Sequence, residues 1–188
     1  MFGKIGKILR GGSYEVPTSF EKDVKTLKFV NKSPNEDPKY ATYGDSGFDL
    51  RAWITKDEKG VFTVEEDDIE KTAIKLASRE TRLFHTGLYF QLPENTELQV
   101  RTRSGNALKI QLVVTNSPGT VDEFYTNEVG VILTNLSRNV ITVKNGDRIA
   151  QAVLCPVYNS PLVNLTKVDK IEENKYRNKN GFGHTGIK

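Results

Sequence analysis

Between residues 73 and 157 the chain is written as short runs of Val, Ile, Leu and Thr, cut apart by Gly, Pro, Asn and Asp. The runs are "AIKLAS", "TRLFHTGLYFQL", "TELQVRTR", "IQLVVTN", "NEVGVILTNLS", "NVITVKNGD" and "IAQAVLCPV". β-branched residues suit a pleated, half-buried surface. The residues between the runs supply turns. In "ELQVRT" the alternation is explicit, and Leu98 and Val100 should face inward. Runs of this length and spacing predict an all-β domain, a sandwich or barrel of antiparallel strands. No stretch forces a helix.

The upstream part is less regular. Residues 1–26 read as an extension, polar and glycine-bearing, without a sustained period. "VKTLKFVN" (24–31) alternates as a strand would, and "FDLRAWI" is a short strand candidate. Between them lies "KSPNEDPKYATYGDSG", dense in turn formers. "TKDEKGVFTVEEDDIEKT" is charged and reads as a surface insertion over about 55–73, a hairpin or a short helix. The β domain then spans 27–170, and 171–188 forms a C-terminal arm. A chain of 188 residues suits one domain with a sizeable core.

Composition removes several function classes. No apolar run approaches a membrane span. "MFGKIGKILRGG" is basic but lacks the apolar stretch and cleavage site of a signal peptide. Cys155, the single cysteine, sits in "AVLCPV" and reads as a buried thiol on a strand. It fits a reducing cytoplasm. A formal net charge of +3 is too small to argue for a nucleic-acid surface. Two histidines and one cysteine cannot build a standard structural zinc site.

Five stretches break the strand rhythm with residues a core would not choose. "GDSGFDLRA" places Asp49 beside glycines, and "RTRSGNALK" ends a strand in Arg-Ser-Gly, exposing a hydroxyl and backbone N–H groups. "TNSPGTVDEFYTNEVGVIL" sets Asp122 and Tyr125 in a hairpin-like turn. "NGDRIAQAVL" carries Gln151 in an apolar run, and "RNKNGFGHTG" brings Arg177 and Phe182 to the tail. Each alone is an ordinary turn, strand end or solvated tail.

Together and in order, they resemble the five motifs of the trimeric dUTPase family. "SGFDLRA" is similar to the family's A-G-Y-D-L-x-A, and "RSGNA" to R-S-G-L-A. "NSPGTVDEFYTNE" is similar to N-x-x-G-x-I-D-x-x-Y-x-G-E. "GDRIAQ" matches the fourth motif without change, and "RNKNGFGHTG" is similar to R-G-x-G-G-F-G-S-T-G. "FHTGLYFQLP" also resembles the family's T-G-L-x-x-x-x-P strand. The resemblance runs from about Leu27 to the C-terminus.

The resemblance implies a distorted jelly roll of the β-clip type. It also implies a homotrimer with active sites at subunit interfaces, each closed by another chain's arm. The implied reaction is hydrolysis of dUTP to dUMP and pyrophosphate, which keeps uracil out of DNA. Asp122 would activate the water that attacks the α-phosphorus. Arg103, Ser104, Gly105 and Gln151 would hold the phosphates, with Mg²⁺ bridging their oxygens. Asp49 would support the site through the metal's water shell or through an arginine. Asn116, Gly119 and Val121 would contact the base, and Tyr125 would pack under the deoxyribose. From the tail, Phe182 would stack on uracil, Gly183 would allow close approach, and Arg177 would meet the γ-phosphate.

The match departs from the pattern at several positions. Asn178 and Asn180 replace glycines, and His184 replaces a serine. Asn106 replaces an apolar residue, and Phe124 and Thr126 replace the usual neighbours of the tyrosine. Two other readings carry over. The dCTP deaminase family is similar in fold but needs a catalytic glutamate where this chain has Ile132. A dUTPase-like scaffold acting as a regulatory or structural binding module is the other.

Overall fold

The computed structural model describes residues 24–172. They fall into two units, divided after Val157. All the strands lie in the first. In the second, residues 158–172 contain no strand or helix, and the Leu162 N–H closes a turn onto the Asn159 carbonyl at 2.9 Å.

Twelve strands and one short helix follow in chain order: β1 (Lys28–Asn31), β2 (Gly47–Arg51), β3 (Val61–Glu66), β4 (Ile69–Leu76), β5 (Thr81–Phe84), β6 (Leu88–Gln91), β7 (Thr96–Arg101), α1 (Ser104–Ile110), β8 (Leu112–Val114), β9 (Gly119–Val121), β10 (Val131–Asn135), β11 (Ile141–Lys144) and β12 (Arg148–Pro156). They make four sheets, ordered β1-β6, β5-β10-β8, β11-β4-β3 and β2-β12-β7-β9. Each pairing is antiparallel. Neighbours in the sheets are mostly distant in sequence, as the jelly-roll expectation requires.

The core follows from period-2 burial. In β7, Thr96, Leu98 and Val100 are buried and their alternates half-exposed, as the sequence predicted. In β10, Val131, Leu133 and Asn135 point inward. They meet Leu50, Ile74, Leu76, Phe84, Val143 and Ile149, all buried. Asn135 is polar yet fully buried. Its amide donates to the carbonyls of Leu76 (2.9 Å) and Asn139 (2.7 Å), and its oxygen accepts the Ser137 N–H (2.9 Å). Those bonds satisfy what burial would otherwise leave unpaired.

The structure departs from the sequence reading in three places. "TRLFHTGLYFQL" is two strands, because Gly87 takes φ +71 and the chain bends there. β5 then pairs with β10, and β6 with β1. A Cβ on Gly87 would lie 2.7 Å from the Ser33 nitrogen and 2.9 Å from Trp53. "RSGNALKI" forms α1, which the short, unpatterned segment did not announce. Cys155 is half-buried rather than buried, with its sulfur 3.6 Å from the Arg101 guanidinium. The charged insertion is a hairpin. Asp67 and Asp68, both at positive φ, form its two-residue turn between β3 and β4. β4 is then the middle strand of its sheet, flanked by β11.

Candidate active site

Register builds the first cavity. Gln151 on β12 lies opposite Asp49 on β2 and opposite Arg101 on β7. Directly opposed residues share a sheet face. This row of polar side chains therefore stands on the outer face, while Phe48, Leu50 and Val100 take the buried one. Arg103 lies two residues beyond β7, and its Nε donates to Asp49 Oδ1 at 2.6 Å. Arg148 Nη1 reaches Asp49 Oδ2 at 3.3 Å. Gln151 Nε2 donates to the Thr102 carbonyl at 3.0 Å. These residues border a cavity of about 380 Å³. Lys39, Arg101, Arg103 and Arg148 line it against Asp45 and Asp49, four cations to two carboxylates. Such a surplus favours an anion.

α1 opens beside this cavity. Arg103 is its N-cap, and no side chain caps the first turn. The early N–H groups of a helix have no partner within it. Ser104 is exposed, and a Cβ on Gly105 would meet nothing within 4 Å. Asn106, the departure from the second motif, has a structural role. Its amide donates to the Arg148 carbonyl at 3.0 Å and its oxygen faces Arg103 Nη1 at 3.4 Å. It ties the helix to β12 and braces Arg103.

A second cavity, about 260 Å³, is lined by Asn116, Gly119, Val121 and Tyr125 with Leu83, His85, Glu128 and Ile132. Gly119 is packed closely: a Cβ there would lie 3.1 Å from Asn116 Nδ2. The Tyr125 N–H donates to the Asp122 carbonyl at 3.0 Å, closing the turn after β9. The Tyr125 hydroxyl donates to the Glu128 carbonyl at 2.9 Å, which fixes the ring. Burial pushes the Glu128 carboxyl up, but the Gly87 N–H, the His85 ring and the Thr86 N–H outweigh it and hold the pKa below its ordinary value. Asp122 is exposed, and its carboxylate has no hydrogen-bond partner among the described residues.

The predicted residues thus divide. Asp49, Arg103 and Gln151 share the cationic cavity, and Asn116, Gly119, Val121 and Tyr125 share the smaller one. The two have no lining residue in common. Ser104, Gly105 and Asp122 line neither, and Arg177, Phe182 and Gly183 lie outside the described residues. The sequence reading missed Lys39, Arg101 and Arg148 on one side and His85 and Glu128 on the other. Arg148 and Glu128 stand inside the fourth and third motifs, which was the available signal. A larger cavity, about 890 Å³, has its charges largely tied to one another, as in Arg51–Glu36 at 3.1 Å and Lys56–Glu70 at 3.3 Å. It contains none of the predicted residues, so size does not mark the site.

Among the described residues, no group of three or more His, Cys, Asp or Glu side chains is arranged to hold a metal ion. Both oxygens of Asp49 face arginines. Among those residues, no helix is long and apolar enough to cross a membrane.

A model of the dUTPase family matches residues 69–186. A deoxyuridine 5'-triphosphate nucleotidohydrolase of Picosynechococcus sp. is 44% identical, over 85% of this chain and 98% of that protein. One from Cytophaga hutchinsonii is 39% identical, over 86% and 92%. A solved structure of the Staphylococcus bacteriophage 80alpha dUTPase with dUPNHPP superposes with a TM-score of 0.66 at 20% identity, covering 86% of this chain and 99% of that one.

Proposed function

The chain belongs to the dUTPase family, and we propose that it is a dUTP diphosphatase working through Asp122-activated water. The reaction releases dUMP and pyrophosphate. The observation that carries the residue assignment is the division of the predicted side chains between a cationic cavity and a small, mostly neutral one. A nucleotide needs both environments. Two half-sites on one chain support a homotrimer in which the base cavity of one subunit meets the phosphate cavity of another.

The base enters beside Asn116, whose amide offers both donor and acceptor. Backbone groups around Gly119 and Val121 read the remaining edge of uracil. Each buried group left unpaired by cytosine costs about 1–3 kcal/mol. Tyr125, anchored at its hydroxyl, packs under the deoxyribose and excludes a 2′-hydroxyl. Phe182 from the arm covers the base, a stack worth about 1–3 kcal/mol. Ile132, on the wall of the base cavity, offers no proton-transfer group, which disfavours deamination.

Arg103, Ser104, Gln151 and the backbone N–H groups at Gly105 bind phosphate oxygens, and Arg177 adds a planar fork at the γ end. Asp122 takes a proton from water as its oxygen bonds to the α-phosphorus. The bond from that phosphorus to the bridging oxygen breaks, and pyrophosphate leaves. General-base assistance of this kind contributes about 10²–10⁴ in rate. A magnesium ion would be held mainly by the substrate, and Asp49, whose two oxygens face Arg103 and Arg148, would support it only through water. When bound, the ion neutralises phosphate charge.

The test is pyrophosphate release from dUTP, with dCTP and UTP alongside. Turnover should be confined to dUTP. Asp122→Asn should abolish it while dUMP still binds, and persistent turnover would remove Asp122 from the role of base. Deleting residues 177–188 should leave the trimer folded and nearly inactive.

A further inference from the structure

We propose that Glu128 is a positioning residue for the base cavity, and that His85 keeps its carboxylate in place. The inference rests on the nucleotide site proposed above.

Glu128 joins two segments 41 to 43 residues apart in sequence. Its Oε1 accepts the N–H groups of Gly87 at 2.7 Å and Thr86 at 3.0 Å, and its Oε2 faces His85 Nδ1 at 3.0 Å. Its backbone carbonyl accepts the Tyr125 hydroxyl. One residue thus holds the 85–87 bend by its side chain and the Tyr125 ring by its main chain. His85, Tyr125 and Glu128 all line the base cavity.

The anchoring side of this clasp cannot relax. Gly87 is wedged against Ser33 and Trp53, and the buried Thr86 hydroxyl donates to the Val129 carbonyl at 2.6 Å. The Val129 N–H returns to the Leu88 carbonyl at 2.9 Å. Losing the carboxylate therefore leaves Val129 pinned to the bend but loosens residues 125–128, which carry the Tyr125 ring. Two backbone donors would be stranded near the cavity. A Nδ1–H on His85 pointing at a carboxylate fixes the ring's tautomer and orientation.

The position also predicts the conservative replacement. Gln at 128 keeps an oxygen for the Thr86 and Gly87 N–H groups, and its amide meets His85 Nδ1 once the ring changes tautomer. Ala supplies neither.

The experiment measures dUTP turnover and dUMP titration for wild type, Glu128→Ala, Glu128→Gln and His85→Ala, with melting temperatures. Glu128→Ala should raise KM for dUTP and Kd for dUMP together, about tenfold, and leave kcat within about threefold, the signature of lost uniform binding. Glu128→Gln should restore both to within about threefold, since it keeps the acceptor. His85→Ala should fall between. If Glu128→Ala folds and binds dUMP like wild type, the inference is overturned. Should Glu128→Ala fail to fold, a Glu128→Gln variant that folds but binds as poorly as His85→Ala also overturns it. Wild-type protein that neither binds dUMP nor hydrolyses dUTP would instead refute the nucleotide site itself.

Discussion

Asp49→Ala removes the carboxylate on which Arg103 rests. The bond from Arg103 Nε is short, 2.6 Å, and both side chains are less than a third exposed, at 22% and 30%. Without it, Arg103 keeps only a weak 3.4 Å contact to Asn106. A hydrogen bond to a charged group is worth about 1.5–3 kcal/mol. If that constraint is felt fully where the guanidinium meets phosphate, kcat/KM should fall about 10- to 150-fold. Asp49→Asn separates charge from geometry. The amide keeps an acceptor for Arg103 but turns a donor towards Arg148, so about 1 kcal/mol is lost and kcat/KM falls about fivefold. Steady-state pyrophosphate release reads both variants, with melting temperature as a control for folding. A folded Asp49→Ala enzyme with wild-type kcat/KM would show that Arg103 does not depend on this pair, and the reasoning would fail.

Gly119→Ala should push the Asn116 amide by a few tenths of an ångström, raising KM for dUTP several-fold while kcat changes little; unchanged dUMP affinity would contradict the packing at 3.1 Å. Asn135→Ala strands the buried Leu76 carbonyl and removes a partner from the half-buried Ser137 N–H, so thermal unfolding should drop by about 5 °C, from about 2 kcal/mol in a chain this size. Lys144 and Lys71 hold the Glu66 carboxyl at about 2, down from 4.5. An acid depressed on folding stabilises above its unfolded pKa and loses that contribution as pH falls to its folded one. Melting temperature should therefore decline between pH 4.5 and about 2, and Glu66→Gln should shrink that decline. An equal slope in the variant would assign the acid loss to other carboxylates.

The candidate site residues were legible because they sit in local patterns. Asp122 and Tyr125 share one turn, and Gln151 stands out as a polar residue in an apolar run. The other side chains that line these cavities have ordinary local settings. Nothing around His85 says that a glutamate 43 residues later will meet it. Nothing around Arg101 says that it will stand beside Gln151. Asn106 looked like an unexplained substitution until β12 was placed beside the helix.

The amino-acid sequence by itself determined the strand period, the inward face of β7, and the motif residues proposed as phosphate and base contacts. These are short-range properties, since pleating alternates side chains every residue and a motif spans a few positions. Only the tertiary structure decided which strands lie side by side. That choice put Asp49, Gln151 and Arg101 in one row, locked Glu128 onto the 85–87 bend, and split the site between two cavities. Sheet register is set by burying many apolar side chains at once, so it is a property of the whole core and not of any local stretch.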